Sequence, residues 1–140
     1  MAHKARVLVV ANRTAESPEL LDALRARAVQ GPCAFTLLVP ATPHGVAWAA
    51  DMFAGATEAE KHRQAFMESL RREGLDIADA KVGDPDPLAA VIDECNANQY
   101  DELIVSTLPH RLSKWLKVDL PRKAKAATGL PVTHVVGSER

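Results

Sequence analysis

The chain has 140 residues, of which 47% are hydrophobic and 25% are charged, and we expect one domain spanning residues 1–140. Its 17 basic and 18 acidic residues leave a formal net charge of -1. This balance excludes a protein whose whole surface binds nucleic-acid backbones, so we expect no nucleic-acid partner.

The predicted elements alternate between strands and helices. Val-rich apolar runs of strand length indicate buried strands, whereas apolar residues at helical spacing between capping and stop signals indicate helices. In chain order these are a strand at 5–11, a helix from Ser17 to a stop at 31–32, a strand at 33–39, a helix from Thr57 to Gly74, a strand at 76–82, a helix after the turn 83–87, a strand at 100–106, a short helix at 113–117, a helix at 119–128 and a strand at 132–136. The strand at 76–82 is more polar than the others, as is typical of a sheet edge.

This order of elements predicts the fold class. Strands that alternate with helices are typical of βαβ units, which form a parallel sheet covered by helices on both faces. Right-handed crossovers leave few topologies for such a chain. We therefore expect an α/β protein with three α/β/α layers, a Rossmann-like arrangement and a five-stranded parallel sheet of order 3-2-1-4-5.

Several kinds of protein and site are not expected. The apolar runs are far shorter than the ~20 residues that span a bilayer, and no signal peptide is visible, so we expect a cytoplasmic protein with no membrane partner. Cys33 and Cys95 lack the spacing of a disulfide scaffold or zinc site, and both are expected to be buried. The histidines lack metal-motif spacing and no nucleophile or Walker motif is present, so we expect no metal, no cofactor and no enzyme activity.

The topology predicts where a ligand would bind. In open parallel sheets, ligands bind beyond the carboxyl ends of the strands, at the point where the strand order reverses. That point lies between the first and fourth strands, with the end of the second strand closing one side. The candidate ligand-binding residues are Ala11, Asn12, Arg13, Val39, Ser106, Thr107, His110, Arg111 and Lys114.

Four segments give the chain a family resemblance. These are Val7–Asn12 before the first helix, Val82–Pro85 before the third long helix, the strand Tyr100–Val105, and Gly129–Val132 before the last strand. Taken in this order, they resemble the UspA-like universal stress proteins over nearly the whole chain. The resemblance implies the fold described above and a homodimer that pairs through the last strand. The candidate interface residues are Val132, His134, Val135 and Val136.

The sequence departs from the nucleotide-binding members of that family after the fourth strand. Those members carry Gly-x2-Gly-x9-Gly-Ser/Thr, in which bare backbone amides approach phosphates. Counted forward, these positions fall on Thr107, His110, Leu120 and Pro121; counted backward, the final pair falls on Val118 and Asp119. Neither register contains a glycine. We therefore expect that ATP does not bind in the family's usual manner, because side chains and a carboxylate occupy the phosphate cradle.

The basic segment 111–125 leaves three alternatives open. It contains six basic residues and one acid, whereas residues 84–102 contain six acids and no base. The basic side chains form an anion site that replaces the glycine cradle, or they form a solvated helix face, or the basic and acidic segments meet within or between subunits. A small anionic ligand remains a candidate partner under the first alternative.

Two main functional hypotheses follow. The first is a universal-stress-protein-like module that binds and regulates without catalysis, and that forms a homodimer. The alternative is an adenine-nucleotide (ATP or AMP) binding protein with a rebuilt phosphate site made of Asn12, Val39, Ser106, Thr107, His110, Arg111 and Lys114. A weak nucleotide hydrolase that depends on an added divalent metal is a third reading.

Overall fold

The computed structural model describes residues 4–11, 17–41, 61, 63–109 and 119–137. The elements are β1 (Ala5–Val10), α1 (Pro18–Gln30), β2 (Cys33–Pro40), α2 (helical residues 63–72), β3 (Ile77–Gly83), α3 (Pro87–Ala97), β4 (Glu102–Thr107), α4 (Leu120–Thr128) and β5 (Val132–Val136). All neighbouring strands are parallel and their order is β3-β2-β1-β4-β5. The predicted sheet order is confirmed.

Local capping signals explain where two helices begin. The Ser17 hydroxyl accepts a hydrogen bond from the Leu20 amide at 3.2 Å, and the Asp86 carboxylate accepts one from the Leu88 amide at 3.1 Å. A proline occupies the first turn of each of these helices, where its missing amide costs nothing. The predicted helix start at Ser17 is confirmed, and the predicted capping box at Thr57 lies outside the described residues.

Two apolar layers hold the helices against the sheet. On one face, α1 and α2 cover alternate residues of the central strands, and the largest contributors are Val7, Val9, Phe35, Leu20, Leu24, Phe66 and Leu70. On the other face, α3 and α4 cover the intervening residues, and the contributors include Leu8, Val10, Leu38, Leu103, Val105, Val91 and Leu120. This alternation follows from the two-residue period of a strand buried on both faces.

The two edges of the sheet differ. At the β3 edge, the Arg71 guanidinium donates to the Ile77 carbonyl at 2.9 and 3.3 Å, and Arg63 donates to the Ala80 carbonyl at 3.2 Å. The Asp79 carboxylate accepts from the Ala80 amide at 2.8 Å. Side chains therefore occupy backbone groups that an incoming strand would need. Within the described part of the chain, no comparable contact covers the outer side of β5.

The cysteines follow the sequence expectation in part. Cys33 is buried as predicted, whereas Cys95 is only half-buried at the margin of the α3 core, and both are free. Burial raises the pKa of both thiols. No helix among the described residues is long and apolar enough to cross a membrane. The predicted short helix at 113–117 lies outside the described residues.

Candidate ligand site

Three strand ends meet where the sequence places the ligand crevice. The strand register sets Val10 of β1 beside Leu38 of β2 and Val105 of β4. The residues that follow these positions are Ala11, Val39 and Ser106, all no more than 3% exposed. The structure therefore brings these three candidates together. The candidates Asn12, Arg13, His110, Arg111 and Lys114 lie outside the described residues.

Thr107 does not share a face of the sheet with these three residues. Ala11 and Val39 belong to the core layer under α1 and α2, as does Ile104, so alternation places Ser106 on that face as well. Thr107 follows Val105 at strand spacing and so faces the α3 and α4 layer. The sheet thus separates Thr107 from the other three described candidates.

A hydrogen bond that the sequence did not suggest holds Thr107 in place. Its Oγ1 lies 2.8 Å from Nε2 of His134, and its carbonyl oxygen accepts from the Gly137 amide at 2.7 Å. Partial burial of the His134 ring lowers its pKa below the ordinary value of 6.5, which favours the neutral imidazole. Thr107 itself is 2% exposed. The hydroxyl therefore binds an edge-strand histidine at this end of the sheet.

The start of α4 differs from a phosphate-binding helix end. Asp119 precedes the helix with φ of 54° in the left-handed region, and its side chain makes no capping hydrogen bond. Its carboxylate instead pairs with Arg122 at 3.1 Å. Leu120 is fully buried, and Pro121 has no backbone amide to donate. The first turn of α4 therefore offers one amide donor fewer than an ordinary helix and has a carboxylate beside it.

The described part of the basic segment is exposed. Arg122, Lys123 and Lys125 all lie on the solvent side of α4. Lys123 also lines a depression of about 200 Å³ with Leu120 and with residues 86–88 at the start of α3. Among the described residues, no cluster of His, Cys, Asp and Glu could hold a metal ion.

A buried carboxylate lies away from this crevice, on α3. Oε2 of Glu94 accepts hydrogen bonds from Lys81 Nζ at 2.9 Å, Asn98 Nδ2 at 2.9 Å and Tyr100 OH at 2.6 Å. Burial alone would raise the pKa of Glu94, but these donors and the Lys81 charge together lower it below the ordinary 4.5. Glu94 follows Val91 by three residues on the buried face of α3, so its place in an apolar stripe was visible in the sequence.

Comparison with known proteins connects this architecture to one family of solved structures. No protein-family model matches the chain. A search of curated proteins finds no matching sequence. The universal stress protein from Archaeoglobus fulgidus superposes with a TM-score of 0.65 at 15% identity, covering 96% of this chain and 99% of that one.

Two further neighbours were solved with nucleotides bound. A universal stress protein family protein from Arabidopsis thaliana with AMP bound superposes with a TM-score of 0.62 at 14% identity, covering 97% of this chain and 92% of that one. A universal stress protein in complex with cAMP gives 0.55 at 17% identity, covering 98% and 100%. The structural neighbours are universal stress proteins, and the fold implied by the sequence resemblance is confirmed.

Proposed function

We propose that this chain, which has the fold of universal stress proteins, is a regulatory module without catalytic activity that works as a homodimer paired through β5. The observation that supports this proposal is the difference between the two sheet edges. Side chains of α2 occupy carbonyls of β3, whereas β5 keeps its outer backbone groups open within the described residues. An open edge strand is a template for pairing with another strand.

The register of β5 identifies the groups that would pair. The Leu103 amide donates to the Pro131 carbonyl, and the Gly137 amide donates to the Thr107 carbonyl. Odd-numbered residues of β5 therefore face β4, and in a parallel ladder the backbone groups of the even-numbered residues point outward. These are Val132, His134 and Val136. Three of the four interface residues predicted from the sequence thus present their backbone to the open side.

The side chains at this edge also favour a partner. Val136 is 46% exposed, and it is one of two large hydrophobic residues of the described chain that are exposed to this degree. Pairing two β5 strands about a twofold axis would cover both copies of Val136, since the same patch then serves both subunits. The contact would extend the sheet without a change in either subunit.

Sedimentation velocity at tens of micromolar tests this proposal. We expect the wild type to sediment as a dimer and Val136→Lys to sediment as a monomer, because a lysine on an edge strand opposes pairing. Val29→Lys is the matched control, since Val29 is 87% exposed on α1 and should leave the dimer intact. A monomeric wild type, or equal dissociation by both variants, would contradict the proposal.

A second candidate function is binding of an adenine nucleotide in the crevice between β1 and β4. Structural neighbours with AMP and cAMP bound support it. The α4 start, with Pro121 and the Asp119 carboxylate, disfavours a triphosphate that relies on backbone amides. We propose that such a ligand would carry one phosphate and that basic side chains, including Arg111 and Lys114, would replace the missing amide donors.

Calorimetry separates this candidate from the first. Micromolar affinity for AMP that exceeds the affinity for ATP, and that is lost in His110→Ala and Lys114→Ala, would support nucleotide binding. Lys61→Ala, an exposed residue at the α2 region, is the control and should leave the affinity unchanged. Heat for neither nucleotide would rule out the second candidate and leave the dimerisation proposal intact.

A further inference from the structure

A titratable residue lies at the centre of the open edge strand. His134 is the middle residue of β5, and its backbone points to the open side together with the backbones of Val132 and Val136. The residue as a whole is exposed in the single chain. In a contact with twofold symmetry, the residue nearest the axis meets its own copy. The position of His134 therefore makes it the candidate for such a contact.

One register pairs two β5 strands over their full length. In an antiparallel ladder, two outward-pointing residues that lie opposite each other exchange both backbone hydrogen bonds. If His134 lies opposite His134 of the partner subunit, Val132 lies opposite the partner's Val136, and every outward residue of β5 is paired. A shift by two residues leaves one of the three without a partner in β5. The register centred on His134 therefore forms the most hydrogen bonds and also covers Val136.

This register places the two copies of His134 side by side. The Cα atoms of such a hydrogen-bonded pair are about 5.5 Å apart, and the two side chains lie on the same face of the sheet. Two protonated rings there would be like charges on directly opposite residues, which destabilises an antiparallel pair. Pairing also covers an exposed residue, and burial disfavours the charged form of an imidazole. Both effects favour the neutral ring in the dimer.

No carboxylate of the described chain is placed to offset these charges. On the face where Thr107 binds the His134 ring, β4 also presents Leu103 and Val105, and none of these residues titrates. The acid at the start of β4, Glu102, is paired with Arg27. Burial is the cause of the lowered pKa of His134, with no contribution from a described charged group. The other charged residues of the helices that contact β5 are Arg122, Lys123 and Lys125 on α4, and Glu19, Asp22 and Arg25 on α1, which covers the opposite face.

We propose that association through β5 is regulated by pH, with neutral His134 allowing the two strands to pair and protonated His134 separating them. This regulation rests on the dimer proposed above. Because pairing disfavours the charged ring, the dimer binds fewer protons than two separate subunits. The dissociation constant of the dimer therefore rises as the pH falls through the pKa of His134 in the separate subunit. Linkage limits the rise to about tenfold per pH unit for each proton taken up.

Sedimentation velocity on dilution series at pH 7.5 and pH 5.0 tests the proposal. We expect the dissociation constant of the wild type to rise by at least about tenfold between these pH values, since two rings take up protons. His134→Gln keeps a polar side chain that does not titrate, and its dissociation constant should not follow the pH. His62→Gln is the matched control, because it removes another of the five histidines at a position far from β5 in sequence and should keep the wild-type response. Far-UV circular dichroism at each pH limits the comparison to the folded chain.

The His134 ring resonance gives a second measurement that needs no variant. We expect a lower pKa at protein concentrations well above the dissociation constant than at concentrations well below it. Equal pKa values, a pH-independent dissociation constant of the wild type, or the wild-type response in His134→Gln would each overturn the regulation and leave the dimer in place. A wild type that is monomeric at pH 7.5 would contradict the dimer itself, and the regulation with it.

Discussion

Oγ1 of Thr107 lies 2.8 Å from Nε2 of His134, and this contact joins the buried end of β4 to the exposed edge strand β5. Thr107 and His134 are 27 residues apart in sequence and become neighbours because β5 pairs in parallel with β4. A hydrogen bond thus connects Thr107, at the carboxyl end of β4, to the strand that we propose as the dimer interface.

Thr107→Val should lower the free energy of unfolding by about 1 kcal/mol, since it removes the hydroxyl partner of His134 with little change in volume. Thr107→Ser keeps the hydroxyl and should retain most of that contribution. Urea denaturation at pH 7.5 measures both variants. If Thr107→Val is as stable as the wild type, the hydrogen bond contributes nothing to folding.

The titration of His134 should make the folded state less stable in mild acid. Burial lowers the folded-state pKa of His134, so the neutral ring is favoured in the folded protein. The contribution of the neutral ring to the free energy of unfolding is therefore complete above the unfolded-state pKa of about 6.5. This contribution is lost as the pH falls through the lower folded-state pKa. The folded-state pKa can be measured from the His134 ring resonance. The free energy of unfolding is measured for wild type and for His134→Gln from pH 7.5 to pH 5. In the difference between the two proteins, the contributions of the other histidines cancel.

Loss of the Glu94 charge should destabilise the protein at neutral pH. Glu94→Gln weakens the interaction with Lys81 and replaces one acceptor oxygen by an amide, so we expect a loss of about 1–3 kcal/mol at pH 7. Since the hydrogen bonds lower the folded-state pKa of Glu94 below 4.5, the carboxylate stabilises above that pH and its contribution disappears as the pH falls further. The difference between wild type and variant should therefore shrink below pH 4. A difference that does not change with pH would show that charge has no part in it.

The close approach of Gly83 to α3 gives a test of packing. A Cβ at Gly83 would lie 2.9 Å from the Ala90 Cβ and 3.0 Å from Leu38 Cδ1. We expect Gly83→Ala to cost about 1–3 kcal/mol because α3 must shift away from β3. Gly31→Ala is the control, since its backbone is extended and nothing lies within 4 Å of the added atom. Thermal unfolding should show a lower Tm for the Gly83 variant only.

Local patterns were sufficient to predict most of the fold. The β5 bounds of 132–136 agree with the sequence prediction, and Ser17 caps α1 as expected. These features depend on signals within a few residues, namely strand-length apolar runs and capping side chains, and alternation with helices then limits the sheet order. The strand register also brings Ala11, Val39 and Ser106 together, as the predicted topology requires, and their role in binding a ligand stays a prediction.

The side-chain partnerships could not be predicted in the same way. The Thr107–His134 bond depends on the register between β4 and β5, and the Glu94 network joins α3 to Lys81 of β3 and to Tyr100. Each is a contact between elements whose relative positions are set by packing rather than by local sequence. An acid three residues after Val91 in an apolar stripe was a signal of the second network, but it does not identify the partners.

The arginine cover of the β3 edge leads to the last prediction. Replacing Arg63 and Arg71 together by alanine frees the carbonyls of Ala80 and Ile77, so β3 should become able to pair with another strand. The double substitution is best made in the Val136→Lys background, in which we expect pairing through β5 to be blocked. Sedimentation velocity should then show self-association that Val136→Lys alone lacks. Arg72→Ala in the same background is the control, because Arg72 is 78% exposed and its described ion pair is a long one with Glu68 at 3.8 Å. If the double variant remains monomeric like this control, the arginines do not protect the β3 edge from pairing. The difference between the β3 and β5 edges then no longer supports the proposed dimer.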